Sequence, residues 1–356
     1  MNLRMPAEWE PHRATWMVWP HSWHDWGCKL SIIHWCFVEI VRRLSSNERV
    51  AIIVKNDSLE ARARMCLTQM MVNLSDVEFY TMNTNRSWIR DNGPIFVVRT
   101  SSLKSRTEEK RELVITDWGF NSWARYSNWK LDNEIPRHLA ETLEVRRFRP
   151  QVEQGSRRRN LILEGGSIDV NGAGLLLTTE DCLLSNTQAR NPGVSRQTIE
   201  DSLKAYLGAG EIIWLNKGIA GDDTNGHVDD IARFVGPLTV AIAVEEDPSD
   251  ENYSPLRENR ERLESITTID GHRLNVVPIP MPKPLYFEKQ RLPASYLNFY
   301  IANGQVLVPT FNDPADRIAL GRFADLFPDR VIIGIHASDL VLGLGALHCL
   351  TLQEPS

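Results

Sequence analysis

No run of apolar residues in the 356-residue chain is long enough to span a bilayer, so a membrane protein of the helical kind is not expected. The opening MNLRMPAEWEPHR has no apolar stretch behind its positive charge, which argues against a secretory signal. Nor is there a Pro/Gly/Ser-rich linker; residues 1–356 read as one domain. Positive charge is in deficit, with 40 Lys+Arg against 46 Asp+Glu and a net charge of -6. Phosphate binding needs a basic face, so nucleic acid is not an expected partner. The one basic cluster, Arg157-Arg158-Arg159, reads as a solvated loop. Cysteine is scarce and unpatterned: Cys28, Cys36, Cys66, Cys182 and Cys349 form an odd set without CxxC or other metal-like spacing. They read as reduced thiols of a cytoplasmic protein that needs neither metal nor cofactor.

The chain has enough apolar material for a sizeable core, at 42% hydrophobic residues. Helical periodicity marks Ser31 to Leu44, Ser58 to Met71, Ser195 to Leu207 and Pro314 to Phe327. Strand-like runs are Val50 to Val54, Ile95 to Val98, Leu113 to Thr116, Leu161 to Leu163, Leu175 to Thr178, Ile212 to Leu215, Leu238 to Val244, Val306 to Pro309 and Val331 to Ile335. Asn171-Gly172 signals a hairpin turn. Helices and strands alternate, mixed with hairpins, which predicts an α/β fold with mixed sheets. Ser101 to Glu112 and Glu245 to Ser254 read as exposed loops. A weak echo joins WIRDNGPIFVV, LEGGSIDV, GHVDDIARFV, IANGQVLVP and LGALHCLTL, each a polar or glycine cluster beside an apolar strand. Similar sheet units bringing polar tips to one place would produce it.

Those tips hold the chemistry. In an extended Gly226-His227-Val228-Asp229, His227 and Asp229 share a face. Asp91 lies in Trp88-Ile89-Arg90-Asp91-Asn92-Gly93-Pro94, which taken alone is an ordinary turn. Glu164 ends an apolar strand before Gly165-Gly166, where the backbone can be approached closely. Cys349 follows Gly343 and Gly345, which leave room for a substrate; its neighbour His348 faces the opposite way on a strand, so His227 is the better base. A nucleophile, a histidine and several carboxylates suit a guanidinium. That group is planar, always cationic and bidentate with carboxylates. Asp91 and Asp229 could hold it while a thiolate, its pKa lowered by the substrate cation and by His227, attacks the central carbon. His227 could protonate departing ammonia and later activate water, oriented by Glu164.

With MPAEWEPH, WIRDNGP, WGFN, LEGGSIDVNG, GDDTNGHVDDIARF and GLGALHCLT on the page, the chain resembles the agmatine deiminase family, a branch of the guanidino-group-modifying enzymes that also includes peptidylarginine and arginine deiminases. The resemblance runs from end to end. It implies a pseudo-fivefold α/β propeller, with Cys349 as the amidino-cysteine nucleophile, His227 as general acid/base and Glu164 as its partner. It sets Asp91 and Asp229 on the guanidinium, Asp223 as a further substrate-binding acid, and Trp88 as a wall against the methylene chain. Agmatine would be hydrolysed to N-carbamoylputrescine and ammonia, without a cofactor; a homodimer is left open. Asn225 stands where the family often has Asp, and Leu352 where Gln is common. A peptidylarginine or other guanidino deiminase is the alternative within the class, and a non-catalytic polyamine or guanidinium-binding protein the alternative outside it.

Overall fold

In the computed structural model, which describes residues 2–102, 109–154 and 157–356, the apolar runs collect into five mixed sheets of three or four strands, with two further hairpins. Each sheet repeats one order of pairing: a first strand antiparallel to a second, and that second parallel to a third. The triplets are Ile95–Ser102, Glu109–Thr116 and Arg146–Phe148; Asp169–Val170, Leu175–Thr179 and Glu211–Leu215; Ala232–Gly236, Thr239–Val244 and Asn275–Pro280. They continue with Tyr300–Ala302, Gln305–Thr310 and Val331–His336, and finally Leu352–Pro355, His12–Val18 and Arg49–Val54. The last triplet therefore joins the two ends of the described chain in one sheet.

Parallel neighbours cannot be linked by a tight turn, so a helix crosses between second and third strands in every unit. These helices are Ile135–Thr142, Arg196–Leu207, Tyr253–Ser265, Ala315–Leu326 and Leu30–Leu44. Arg196–Leu207 shows why such segments are helical. Ser195 caps it by accepting from the Thr198 N–H, Ile199, Leu203 and Leu207 bury one face, and Gly208 ends it at φ +74°. Each such fully buried aliphatic side chain is worth roughly 1.5–3 kcal/mol, which is what fixes the helix against its sheet.

Several sequence expectations are corrected here. Arg157–Asn160 is a strand paired with Gln151–Gln154, not a loop. The cross-strand pair of Arg158 with Glu153 accounts for a charge run that periodicity could not read. Leu161 to Leu163 forms only a single bridge, Gly119 to Ile162. The loop expected at Glu245 to Ser254 gives way to a helix at Tyr253, because buried Asn252 anchors the turn to the Ala220 N–H. In Ser101 to Glu112 the flanks extend the strands Ile95–Ser102 and Glu109–Thr116; residues 103–108 lie outside the described residues. Among the described residues no helix is long and apolar enough to cross a membrane.

Candidate active site

The repeated unit explains how the site is assembled. The residues just before each unit's first strand turn towards one place, and each carries a polar side chain. Asp91 sits on the one-turn helix Ile89–Asn92 and Glu164 caps the 3₁₀ turn Gly165–Ser167. His227 caps the 3₁₀ turn Val228–Asp230, on which Asp229 lies. Asn298 precedes Tyr300–Ala302, and Cys349 precedes Leu352–Pro355. The fourth member of the echo was thus misplaced by one strand. The tip is Asn298, not the turn in IANGQVLVP, because that turn joins the unit's first and second strands.

The side chains do meet. Cys349 Sγ lies 3.7 Å from Asp229 Oδ2 and accepts a hydrogen bond from Asn298 Nδ2 at 3.2 Å. His227 Nδ1 lies 3.7 Å from Asp91 Oδ1, and its Nε2 lies 3.8 Å from Glu164 Oε2. Gly166 is what lets them pack so closely. A Cβ there would stand 2.6 Å from His227 Nδ1, 2.8 Å from Asp91 and 3.0 Å from Asp229. The Gly166 N–H also donates to Asp91 Oδ1, and the Trp123 indole N–H donates to Asp91 Oδ2 at 2.9 Å. Trp123 reaches it from a costly turn: Ser122, Trp123 and Ala124 all have left-handed φ, 54–58°. That conformation costs on the order of 1–2 kcal/mol for each L-residue.

A cavity of about 340 Å³ opens over these groups, a size that suits a small ligand. Cys349, Asp91, Asp223 and Trp88 line it, as do Trp123, Tyr126, Arg86 and Asp25. The Tyr126 hydroxyl donates to Asp223 at 2.6 Å, and Arg86 is held by Asp25 at 2.8 Å. The hairpin formed by Tyr286–Phe287 and Gln290–Arg291 contributes Phe287, Glu288 and Gln290 to the rim. His227, Glu164 and Asp229 are fully buried behind this surface.

Two local expectations about these residues fail. His227 and Asp229 share no strand face; the 3₁₀ turn after His227 directs them instead. Cys349 is in a turn rather than a strand, so His348 does not face away. Its Nδ1 lies 2.7 Å from Asp229 Oδ2. Part of the room left by Gly345 is taken up by Trp88, whose Cζ3 stands 2.7 Å from where a Cβ would be. The sequence also passed over Asn298, Trp123, Tyr126 and Arg86. Only the aromatic density of FNSWARYSNW hinted at two of them.

Burial and charge set the protonation states. Burial pushes the Cys349 thiol well above its ordinary pKa, and Asp229, Asp230 and Asp91 push it further, against the hydrogen bond from Asn298. The thiol is therefore protonated at rest. Burial opposes charge on His227, but Asp91, Cys182 and Glu164 together outweigh it and hold the imidazole well above its ordinary value. Burial likewise opposes charge on Glu164, yet Arg190 and His227 bring its carboxyl down to about 2. Asp91 is pushed up to about 6 by burial, with His227 pulling down and Asp229 and Glu164 pushing up. On Asp229 burial is outweighed by His348, which keeps the carboxylate ionised.

Among the described residues one group has metal-ligand geometry: Glu164, Cys182 and His227, whose ligand atoms all lie within 4.8 Å of one another. The Arg190 guanidinium already holds Glu164 Oε1 at 3.0 Å, and a dication would be forced against that buried cation. These residues fit an imidazolium held between carboxylate and thiol better than a metal.

A buried thiol, an imidazole and opposed carboxylates on a five-sheet α/β frame define a cysteine-dependent enzyme acting on guanidino groups. The chain belongs to the family described as Porphyromonas-type peptidyl-arginine deiminase, which matches residues 4–355. It is 37% identical to an agmatine deiminase of Medicago truncatula, across 100% of this chain and 97% of the relative. A cysteine-to-serine variant of C. jejuni agmatine deiminase with substrate bound is 32% identical, with a TM-score of 0.85 over 99% of this chain and 96% of its own. Agmatine deiminase of Enterococcus faecalis is 31% identical, with a TM-score of 0.86 over 100% of this chain and 96% of its own.

Proposed function

We propose that this protein hydrolyses agmatine to N-carbamoylputrescine and ammonia through a covalent amidino-cysteine. The observation carrying the proposal is the thiol of Cys349 lying 3.7 Å from Asp229 in a cavity whose walls include Asp91 and Asp223. Carboxylates around a nucleophile suppress its ionisation, so the site selects a ligand that brings its own positive charge. When a guanidinium docks between Asp91 and Asp229, a proton leaves the thiol for solvent and the thiolate faces the electrophilic carbon. Sulfur adds to that carbon, the N–H donors staying paired with the two carboxylates. His227 donates a proton to the amino group that departs as ammonia, with Glu164 holding the far side of its ring. His227 then takes a proton from water, which adds to the amidino carbon; collapse of the adduct to the carbamoyl product breaks the C–S bond, and the hydroxyl proton released goes to the departing sulfur, restoring the resting thiol. Trp88 would flank the methylene chain, and Asp223 would meet the distal amine.

Arg86 favours a second reading, since a cation in the pocket wall suits a substrate carboxylate. Its Nη1 is committed to Asp25 and its ring neighbour is Tyr126, with the guanidinium carbon 4.2 Å from the ring centroid, so the agmatine reading is preferred. Ammonia release measured with agmatine, free arginine and an arginyl peptide separates the readings. We expect agmatine to have the highest kcat/KM, and a preference for either competitor would overturn the choice of substrate. We further read the five sheets as the blades of a pseudo-fivefold propeller forming a single domain. The protein would work in the cytoplasm on a small-molecule guanidinium, as a monomer or homodimer.

The pH profile gives an independent test. Asp91 must be ionised to hold the cation, and its pKa lies at about 6. As pH falls through that value the carboxylate is protonated, so kcat/KM should drop, approaching about tenfold per pH unit. Trp123→Phe removes an N–H that favours the charged form, which should move this limb to higher pH. A limb near pH 4, or one indifferent to Trp123→Phe, would remove Asp91 from the binding step.

A further inference from the structure

The conspicuous N-terminal MPAEWEPH segment lines no part of the cavity, yet its Glu8 is 6% exposed and sits at the centre of a buried charge cluster. Glu8 Oε2 lies 2.8 Å from His348 Nε2 and accepts from Arg90 Nη2 at 3.2 Å. Its Oε1 lies 2.9 Å from Arg233 Nη2 and accepts from the Ile301 N–H at 2.8 Å. Those partners come from four of the five sheet units, and Arg233 adds the fifth through Asp169. One side chain thus ties together the units whose tips form the site.

The link to the chemistry runs through His348. Carboxylate oxygens stand 2.7 and 2.8 Å from its two ring nitrogens, Asp229 on one side and Glu8 on the other. The ring therefore bridges the two carboxylates as a rigid two-ended spacer. Arg90 Nε donates to the His348 carbonyl at 3.3 Å, and Asn298 Oδ1 accepts from the His348 N–H at 3.0 Å, so the spacer is fixed along its backbone as well. Asp229 Oδ2 is thus engaged, while its buried Oδ1 has no hydrogen-bond partner among the described residues.

We propose that Glu8 is a positioning residue that acts on the guanidinium clamp through His348, fixing the orientation of the Asp229 carboxylate. This rests on the function proposed above, because it gives Asp229 the guanidinium to hold. Glu8 touches no reacting atom. Its part is to keep the supporting shell rigid, without which a clamp is present but loose.

A double-mutant cycle read by agmatine affinity tests it. Calorimetry on the Cys349→Ser protein gives the parent affinity, and Glu8→Gln is then introduced with Asp229 intact and with Asp229→Asn. Residues acting along one network couple, whereas independent ones add. We expect Glu8→Gln to weaken agmatine binding about tenfold when Asp229 is intact, and less than about twofold once Asp229 is asparagine. Equal losses in both backgrounds would overturn the positioning role while leaving the proposed function standing. No agmatine binding by the Cys349→Ser parent would instead overturn the function, and the positioning role with it. Melting curves report whether Glu8→Gln folds; if it does not, His348→Gln enters the same cycle with the same expected pattern.

Discussion

Replacing Cys349 by serine is expected to lower turnover of agmatine by about 10⁴-fold or more, the scale on which losing a nucleophile acts. A hydroxyl in that turn would keep the packing and the contact with Asn298, so the protein should fold with a near-normal melting temperature. It could not ionise, since the three acids that hold back the thiol bear harder on an alkoxide. Mass spectrometry of the wild-type enzyme quenched during turnover should show an amidino group on Cys349, absent from the variant. A serine variant with near-normal kcat would exclude sulfur from the mechanism.

His227→Gln should lower kcat by about 10²–10⁴-fold, the usual worth of a positioned general acid and base. The imidazole stands between Asp91 on its Nδ1 side and Glu164 on its Nε2 side, and this pairing keeps it charged despite full burial. Glutamine fills similar space and can hydrogen-bond to both acids, but carries no proton to give. Agmatine affinity measured with Cys349 blocked as serine should change far less than kcat. A variant with unchanged kcat would assign proton transfer elsewhere.

The two expectations rest on sequence and structure in different proportions. Cys349, His227, Glu164, Asp91 and Asp229 could be picked out because reactive residues stand beside glycines and apolar strands. Such a neighbourhood is a local property. Their local geometry is not legible in the sequence, because short 3₁₀ turns and one-turn helices have no periodicity to read. Asn298 escaped because an asparagine between Leu297 and Phe299 looks like any strand residue. His348 faces away from Cys349 only on a strand, and the turn before Leu352–Pro355 is not one. Glu8, Arg90 and Arg233 carry nothing local that marks them. Glu8 pairs with Arg90, 82 residues along the chain, and with Arg233, more than two hundred residues along it, and only the closing of five units around one centre brings them together.

The amino-acid order by itself determined the alternation of helices and strands, the repeated polar tips and the candidate reactive groups. Each of these follows from side-chain chemistry over a few neighbouring residues. The tertiary structure alone decided which tips meet, that the thiol is protonated at rest, and that Asp229 is held by a histidine anchored to the chain's first segment. Those are matters of burial and of charge at a distance, and neither exists until the chain has closed on itself.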